Sequence, residues 1–544
     1  MDATSSGGGP SGWAPEVSGP PLNFVTWGVA ALPVVSLFAL VVSGKVKTPQ
    51  AAVIVAVVTA VLGATVFGAG FEVLSVALGK GLWLGVWILL VVWPALLLYR
   101  IAADAGIERI GTVLHRLLPR GSDRLLALAW VLPSFIQGVA GFGTPIAVAA
   151  PLLVALGYRV RPALMYTLIG YHWSVTFGSM GSSFYMASLT AGLSGSAQGE
   201  FALRAALLLG VNCLAAGGLV LLVEGGVARL REGLGSLLVI GLAMGLTLIG
   251  VAVVVPALAS LAAGTAGFAT LTVRGLANRR RSPAEAPPSS ANGKAGGSGS
   301  LALISPYLYL LATALPVLGF PLTREWAESV IVVAPRFPRT VTAEGWVNAA
   351  VTEFTPLAIG AHPGTYLLLA CLLGYLTYRR TGLLTAGRWR PVSAVWARGL
   401  PKSSAPILLL GVVAMMLTDT GMIQILAEGV AEVAGGLYPL LAAVLGAAGS
   451  FMTGSTTASN ALLAGFQQEV AGLLGIERTI LLAAQTAGGN VGNAVAPVVI
   501  LVGLSAVGDA DELSSTLRST LPAMVVLAGL VTAGTWVMIA LAGG

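Results

Sequence analysis

Two apolar runs of membrane-crossing length are each broken mid-way by residues that a helix rejects. The first break reads Gln137-Gly138-Val139-Ala140-Gly141-Phe142-Gly143-Thr144-Pro145, and the second Thr453-Gly454-Ser455-Thr456-Thr457-Ala458-Ser459-Asn460. In the first, the glycines and the proline lower helix stability by roughly several kcal/mol. Within hydrocarbon, freed backbone N–H and C=O groups cannot turn to bulk water. Non-helical backbone at that depth survives only where protein buries it or where it lines a wet cavity. The breaks fall in different halves of the chain, and paired interruptions of this kind point to the binding site of a carrier.

Composition agrees. Of 544 residues, 56% are hydrophobic and only 9% are charged. Soluble domains carry about 25% charged residues, and a share this small could not cover a water-facing surface. The chain reads as an all-α polytopic protein of the cell membrane, with lipid as its solvent. Abundant glycine (71 residues) lets transmembrane helices approach closely. The net charge of +7 does not imply nucleic acid, because the basic residues cluster in short loops, as the positive-inside rule expects. Cys213 and Cys371 both sit in apolar runs and read as small buried side chains. No metal-spaced cluster and no nucleophile–base pair is visible, so neither cofactor, metal site nor enzyme is expected.

The organisation follows from run lengths and basic loops. Residues 1–22, rich in Gly, Ser and Pro, read as a disordered tail. Spans are expected near 24–44, 50–69 and 81–103, with Lys80 in a loop before the third. The Lys/Arg bias places 45–47 and 104–124 in the cytoplasm. The run 125–157 enters and returns on one side as a re-entrant hairpin. Further spans lie near 162–180, 203–223 and, as two, 234–273. These make a first transmembrane half over 23–273. Residues 274–300 read as a disordered cytoplasmic linker. The second half, 301–544, offers spans near 301–320, 363–380, 403–418, 421–447, 479–505 and 519–542. Its basic loop 381–402 is cytoplasmic, and a second hairpin lies near 448–475. The total is about 12 spans plus two hairpins. Charge does not settle the topology of 421–505.

Broken helices offer two kinds of terminus. Exposed N–H groups and the positive dipole end favour an anion; exposed carbonyls favour a cation or a proton donor. The second break supplies Ser455, Thr456, Thr457, Ser459 and Asn460. A third polar stretch, Gln485-Thr486-Ala487-Gly488-Gly489-Asn490-Val491-Gly492-Asn493, interrupts another run and adds Asn490 and Asn493. The first break adds Gln137, Gly141, Phe142, Gly143 and Thr144. Together these form a neutral, hydrogen-bonding site suited to a small organic acid whose charge is balanced by helix ends. Alternatively such residues only pack helices. Ionisable residues inside apolar runs are the coupling candidates. His172 suits a proton relay or a neutral packing role. Asp419 suits that role or a helix cap, and Glu353 an outer vestibule or a cap.

At these breaks the chain resembles the L-lactate permease family. Residues Gly138–Pro145 resemble its GAAGFGAP stretch, Phe177-Gly178-Ser179-Met180-Gly181 its FGAMG stretch, Thr453–Asn460 its TGSDTSSN stretch, and Thr486–Asn493 its TTGGVTGK stretch. Pro363-Gly364-Thr365 before a span also recurs there. The resemblance implies a symporter of lactate or glycolate with protons. It also implies two inverted repeats, each with a re-entrant hairpin, an elevator-like shift of a transport domain, and a homodimer. The departures are charges. Gln137 stands where the family has glutamate, Thr456 where it has aspartate and Asn493 where it has lysine. Losing acids and base together keeps the site electrically consistent. Gln137 and Thr456 do not titrate near neutral pH. Coupling would then use His172, Asp419 or Glu353, Na+ held by carbonyls and hydroxyls, or a proton on the substrate. That leaves open H+ or Na+ as the ion, and another small organic anion or solute as the cargo.

Overall fold

A computed structural model describes residues 22–43, 45–107, 109, 118, 121–141, 143–281, 297–385, 387–508 and 512–542. Residues 1–21 of the expected tail, residues 282–296 of the expected linker, and Phe142 lie outside this set.

Glycine and proline decide where the helices stop. In the first half, α1 (Phe24–Val42), α2 (Thr48–Thr65) and α3 (Phe71–Asp104) are long apolar rods. Then come α4 (Gly121–Leu126), a π-helical turn (Ala127–Val131), α5 (Leu132–Val139), α6 (Thr144–Ala155), α7 (Val160–Tyr171) and α8 (Gly178–Thr190). α9 (Gly195–Val254) is two limbs folded back at Gly225 and Gly226, the second with φ 66°. Leu237 lies beside Gly217 and Leu221 beside Gly233, as antiparallel limbs require. α10 (Ala259–Arg281) closes the half. In the second half, α11 (Gly297–Gly319) and α12 (Pro321–Ser329) lead to a loop holding strands β1 (Val332–Val333) to β4 (Leu357–Ala358). Within it β2 (Thr340–Val341) pairs with β3 (Val347–Asn348), and β1 with β4, both antiparallel. After it run α13 (Pro363–Arg380), α14 (Trp389–Asp419), α15 (Met422–Ala434), α16 (Tyr438–Thr453), α17 (Thr456–Leu474), α18 (Arg478–Ala494), α19 (Pro497–Val507) and α20 (Leu513–Ala542).

Ten helices among the described residues are long and apolar enough to cross a membrane. Several boundaries differ from the run-length expectation: α11 begins at Gly297, inside the expected linker, and the expected span 162–180 gives way at Tyr171 to a 3-10 turn. Lys80 lies inside α3, one turn before Leu84, because an opposite charge meets it there. α10 continues through Arg281, past the expected linker boundary at 274, because Arg and Ala sustain a helix as well as apolar residues do. α14 begins at Trp389, inside the expected loop 381–402, for the same reason. The run 421–447 divides into α15 and α16 at Gly435, whose φ of 47° no helix accommodates.

Two bodies emerge from the packing. α3 and α14 lie along each other so closely that a Cβ on Gly81 would fall 2.4 Å from the Val412 Cα. Lys80 and Asp419 join the same pair: Nζ sits 3.0 and 2.9 Å from the two carboxylate oxygens, both side chains buried. The strand-bearing loop covers this end, where Asn348 Nδ2 donates to the Asp419 carbonyl oxygen at 2.8 Å. The second body holds two similar series, α5–α6–α7–α8 and α16–α17–α18–α19. In each, the third helix packs along the first: α7 on the π turn leading into α5, and α18 on α16. The series also exchange helices, α6 packing on α19 and α17 on α8.

Candidate functional site

Each break has a local cause. Pro133 at the start of α5 removes a backbone donor and sits directly after the π turn. α5 ends where Ala140 turns extended (φ −124°, ψ 102°). Gly143 then takes a left-handed conformation (φ 82°), and Pro145 occupies the first turn of α6, where a missing N–H costs nothing. In the second half Gly454 is left-handed (φ 68°). Ser455 caps α17 by accepting from the Ala458 N–H at 3.3 Å. A further break lies in the first turn of α8. Ser179, Met180 and Gly181 are all left-handed (φ 47°, 54° and 73°). Two of these are not glycine, and such strain persists only where the surroundings enforce it.

These breaks converge on one cavity of about 20 Å³. Gln137, Gly141 and Gly143 come from the first break, and Val175, Ser179, Ser182 and Ser183 from the strained segment. Gly454, Ser455, Thr456 and Thr457 come from the second break, and Asn493 from the last turn of α18. The lining carries no charge. The N-termini of α6 and α17 open onto it, so its fixed partial charges favour an anion. The cavity's volume is enough for ordered water.

Behind the lining, uncharged side chains bind the two halves together. Gly141 N–H donates to Ser179 Oγ at 2.8 Å. The hydroxyls of Ser183 and Thr457 meet at 2.8 Å. Asn460 Nδ2 donates to the Ser183 carbonyl oxygen (2.9 Å) and to Thr486 Oγ1 (2.8 Å). Thr176 Oγ1 donates to Asn490 Oδ1 at 2.9 Å, and Asn490 Nδ2 donates to the Trp173 carbonyl oxygen at 3.2 Å. Asn493 Nδ2 donates to the Gly454 carbonyl oxygen at 3.0 Å, closing the rim. Some polar atoms stay unsatisfied. Thr456 Oγ1 and Asn460 Oδ1 are buried without a partner among the described residues. Gln137, 4% exposed, makes no side-chain hydrogen bond among them either. Buried polar atoms left over at a site are waiting for a ligand or water.

The expected residues separate into three groups. Gln137, Gly141, Gly143, Ser455, Thr456, Thr457 and Asn493 line the cavity. Ser459, Asn460 and Asn490 stand behind it, Ser459 Oγ donating to the Gly446 carbonyl oxygen at 3.1 Å, and Thr144 heads α6. Phe142 lies outside the described residues. Of the coupling candidates, His172 occupies a 3-10 turn (His172–Ser174) next to the strained segment. Asp419 is committed to Lys80 in the other body. Glu353 is exposed on the strand-bearing loop, away from the cavity, where water solvates its charge. Ser179, Ser182 and Ser183 enter the lining although only the polar character of 178–183 marked them in the sequence. The positions where the resemblance sets Gln137, Thr456 and Asn493 against charged residues all border the same cavity. No cluster of metal-ligating side chains occurs among the described residues.

A multi-pass membrane protein whose polar centre is assembled from interrupted helices of both halves falls in the class of membrane permeases. Within that class the chain belongs to the L-lactate permease family, whose pattern it matches over residues 27–542. It is 27% identical to the L-lactate permease of Halalkalibacterium halodurans over 528 residues, covering 94% of this chain and 96% of that one. It is 24% identical over 544 residues to the glycolate permease GlcA of Escherichia coli, covering 92% and 94%. Among solved structures it is similar to the YdaH transporter of Alcanivorax borkumensis, at 17% identity and a TM-score of 0.45 over 82% of this chain and 84% of that one.

Proposed function

We propose that the protein is a secondary carrier of small monocarboxylates such as L-lactate or glycolate, driven by a cation gradient, most simply of protons. The observation that carries this reading is the uncharged cavity onto which the N-termini of α6 and α17 open. Helix ends there supply the positive potential and Gln137, Ser179, Thr456, Thr457 and Asn493 the hydrogen bonds. A carboxylate fits that combination, and the names of the relatives supply the substrate class. In this reading α5–α6 and α16–α17 are re-entrant hairpins of two inverted repeats. The body holding them slides against α3 and α14 as an elevator, in a homodimer.

Uptake of labelled lactate, glycolate and related acids into proteoliposomes, under an imposed pH or Na+ gradient, tests it. Accumulation of at least one monocarboxylate is expected. Failure to accumulate any small carboxylate under either gradient overturns it. One observation favours a second reading, a different small organic anion or an Na+-coupled cycle on the same scaffold: Gln137, Thr456 and Asn493 leave the cavity without a titrating group. A thermal-shift panel of acids with and without Na+ separates the readings, because a ligand that prefers the folded state raises its melting temperature.

A further inference from the structure

We propose that His172 takes up the coupling proton, and that it does so on Nε2, beside Asn212. This rests on the carrier reading above and names the group that would couple it. His172 is 1% exposed. Its Nδ1 lies 2.8 Å from the Ile169 carbonyl oxygen, which can only accept, so Nδ1 carries a hydrogen. Its Nε2 lies 3.3 Å from Asn212 Oδ1. The orientation of that amide is fixed from the other side, where Asn212 Nδ2 donates to the Leu208 carbonyl oxygen at 3.1 Å. In the neutral ring, then, the Nε2 lone pair faces an oxygen lone pair. A proton added to Nε2 turns that contact into a hydrogen bond, leaving both ring nitrogens donating. With a neutral ring the site is one proton short.

The charged surroundings set the consequence. The elements packed against the 3-10 turn are α5, α7, α9, α18 and, through Ser260 Oγ donating to the Ser174 carbonyl oxygen at 2.8 Å, α10, which carries no carboxylate. α5, α7 and α18 carry no carboxylate. On α9 the nearest are Glu200 and Glu224, each roughly 18 Å from Asn212 along the helix at 1.5 Å per residue. Arg161 and Arg478 lie at the remote starts of α7 and α18, and Arg204 is held by Glu477 at 3.2 Å. The adjoining titratable side chains, Tyr171 and Cys213, are buried and neutral near pH 7. A cation on His172 therefore meets no counter-charge among the described residues, and an unpaired buried cation is unfavourable. A carboxylate in the cavity supplies the missing charge. Val175 and Ser179, on the same segment, line that cavity. Proton and substrate then each favour the other's binding, and the linkage is reciprocal by necessity. A coupling of about 5- to 150-fold, the usual range between sites, suffices for symport.

Proteoliposomes of the wild type, His172→Gln and Asn212→Asp test the assignment in two assays. One is exchange of labelled for unlabelled lactate or glycolate at equal pH, which needs no net proton movement. The other is accumulation driven by an inside-alkaline gradient. His172→Gln should lose gradient-driven accumulation about tenfold or more while exchange falls much less. Asn212→Asp puts a carboxylate beside Nε2, which favours the imidazolium and should move the midpoint of pH-dependent uptake upward by about one unit. The wild-type profile, measured in vesicles of the same lipid, is the reference for that midpoint. Gradient-driven accumulation by His172→Gln equal to the wild type, or an unmoved midpoint in Asn212→Asp, overturns the assignment. So does a wild type that exchanges substrate but ignores the pH gradient, and in that case the carrier reading stands. A wild type that neither exchanges nor accumulates any monocarboxylate sinks both. If His172→Gln does not fold, the Asn212→Asp midpoint still decides.

Discussion

Gln137 is held between two backbones at the wall of the cavity. A Cβ on Gly178 would fall 2.7 Å from Gln137 Nε2, and one on Gly141 would fall 3.1 Å from it. The amide is thus wedged in place, lines the cavity and makes no side-chain hydrogen bond among the described residues. Such a preset neutral group can donate to a carboxylate without reorganising. Gln137→Glu replaces the donor by an acid at the same position. Above its pKa that acid repels an anionic substrate; once protonated it can donate again. Burial raises a carboxyl pKa, so the recovery should fall in a measurable pH range. Initial uptake at neutral pH should drop about tenfold, the effect of roughly 1.4 kcal/mol, and recover as the external pH is lowered. Adding Asn493→Lys across the same cavity should restore part of the neutral-pH rate, because the introduced charges then balance. A pH profile identical to the wild type's would mean that Gln137 does not meet the substrate.

At the scale of elements, the helices around the cavity pack through glycines that let one backbone touch another. Along α16 and α18 a Cβ on Gly488 would fall 2.0 Å from the Ala443 carbonyl oxygen. In the first half a Cβ on Gly170 would fall 1.9 Å from the Ala129 carbonyl oxygen, so α7 meets the π turn in the same way. Backbone cannot step aside as a flexible side chain can. Gly488→Ala should therefore cost about 1–3 kcal/mol or more, read as a lower melting temperature in detergent. Gly472→Ala, on α17 with nothing within 4 Å, should leave stability unchanged or raise it by about 0.4–1 kcal/mol. Equal effects from both would show that α16 and α18 are not in close contact. Breaks of this kind are legible in a sequence where glycine, proline and small polar residues cluster, as at Gly141–Pro145 and Gly454–Thr457, whereas lone prolines such as Pro33 and Pro94 stay inside helices. The cavity lining is therefore readable at Gln137, Thr456 and Asn493. What the sequence hides needs a partner to be seen. Lys80 resembles a loop residue until Asp419, far along the chain, meets it. Ser179 looks like an ordinary helix residue until its left-handed backbone aims it at Gly141. The basic helix ends at Arg281 and around Arg390 are hidden because charge marks the membrane boundary, not the end of a helix.

At the scale of the whole molecule, the proposed elevator cycle asks the body around α3 and α14 to stay still while the helices around the cavity move. α3 and α14 are locked by the Gly81–Val412 approach and by the buried Lys80–Asp419 pair. Breaking such a pair leaves an uncompensated charge and costs about 3–5 kcal/mol. The site helices meet this body through side-chain packing. Trp87 on α3 tilts against Tyr185 on α8 with ring centroids 5.1 Å apart. α17 passes α14 where a Cβ on Gly465 would lie 3.9 Å from Thr418 Oγ1. No hydrogen bond between charged groups crosses these two contacts among the described residues. If transport moves α17 along α14, a covalent tie between Thr418 and Gly465 must stop it. The double variant Thr418→Cys, Gly465→Cys is the pair for such a tie, since a Cβ at 465 lies 3.9 Å from the Thr418 Oγ1 position that a cysteine sulfur at 418 would take. The native cysteines, Cys213 and Cys371, are both buried and unpaired, so they should not compete. Mild oxidation should abolish lactate or glycolate uptake, and a reductant should restore it, while each single variant stays insensitive. Full uptake with the disulfide formed would place α14 and α17 in one rigid body and exclude any cycle in which they slide past each other.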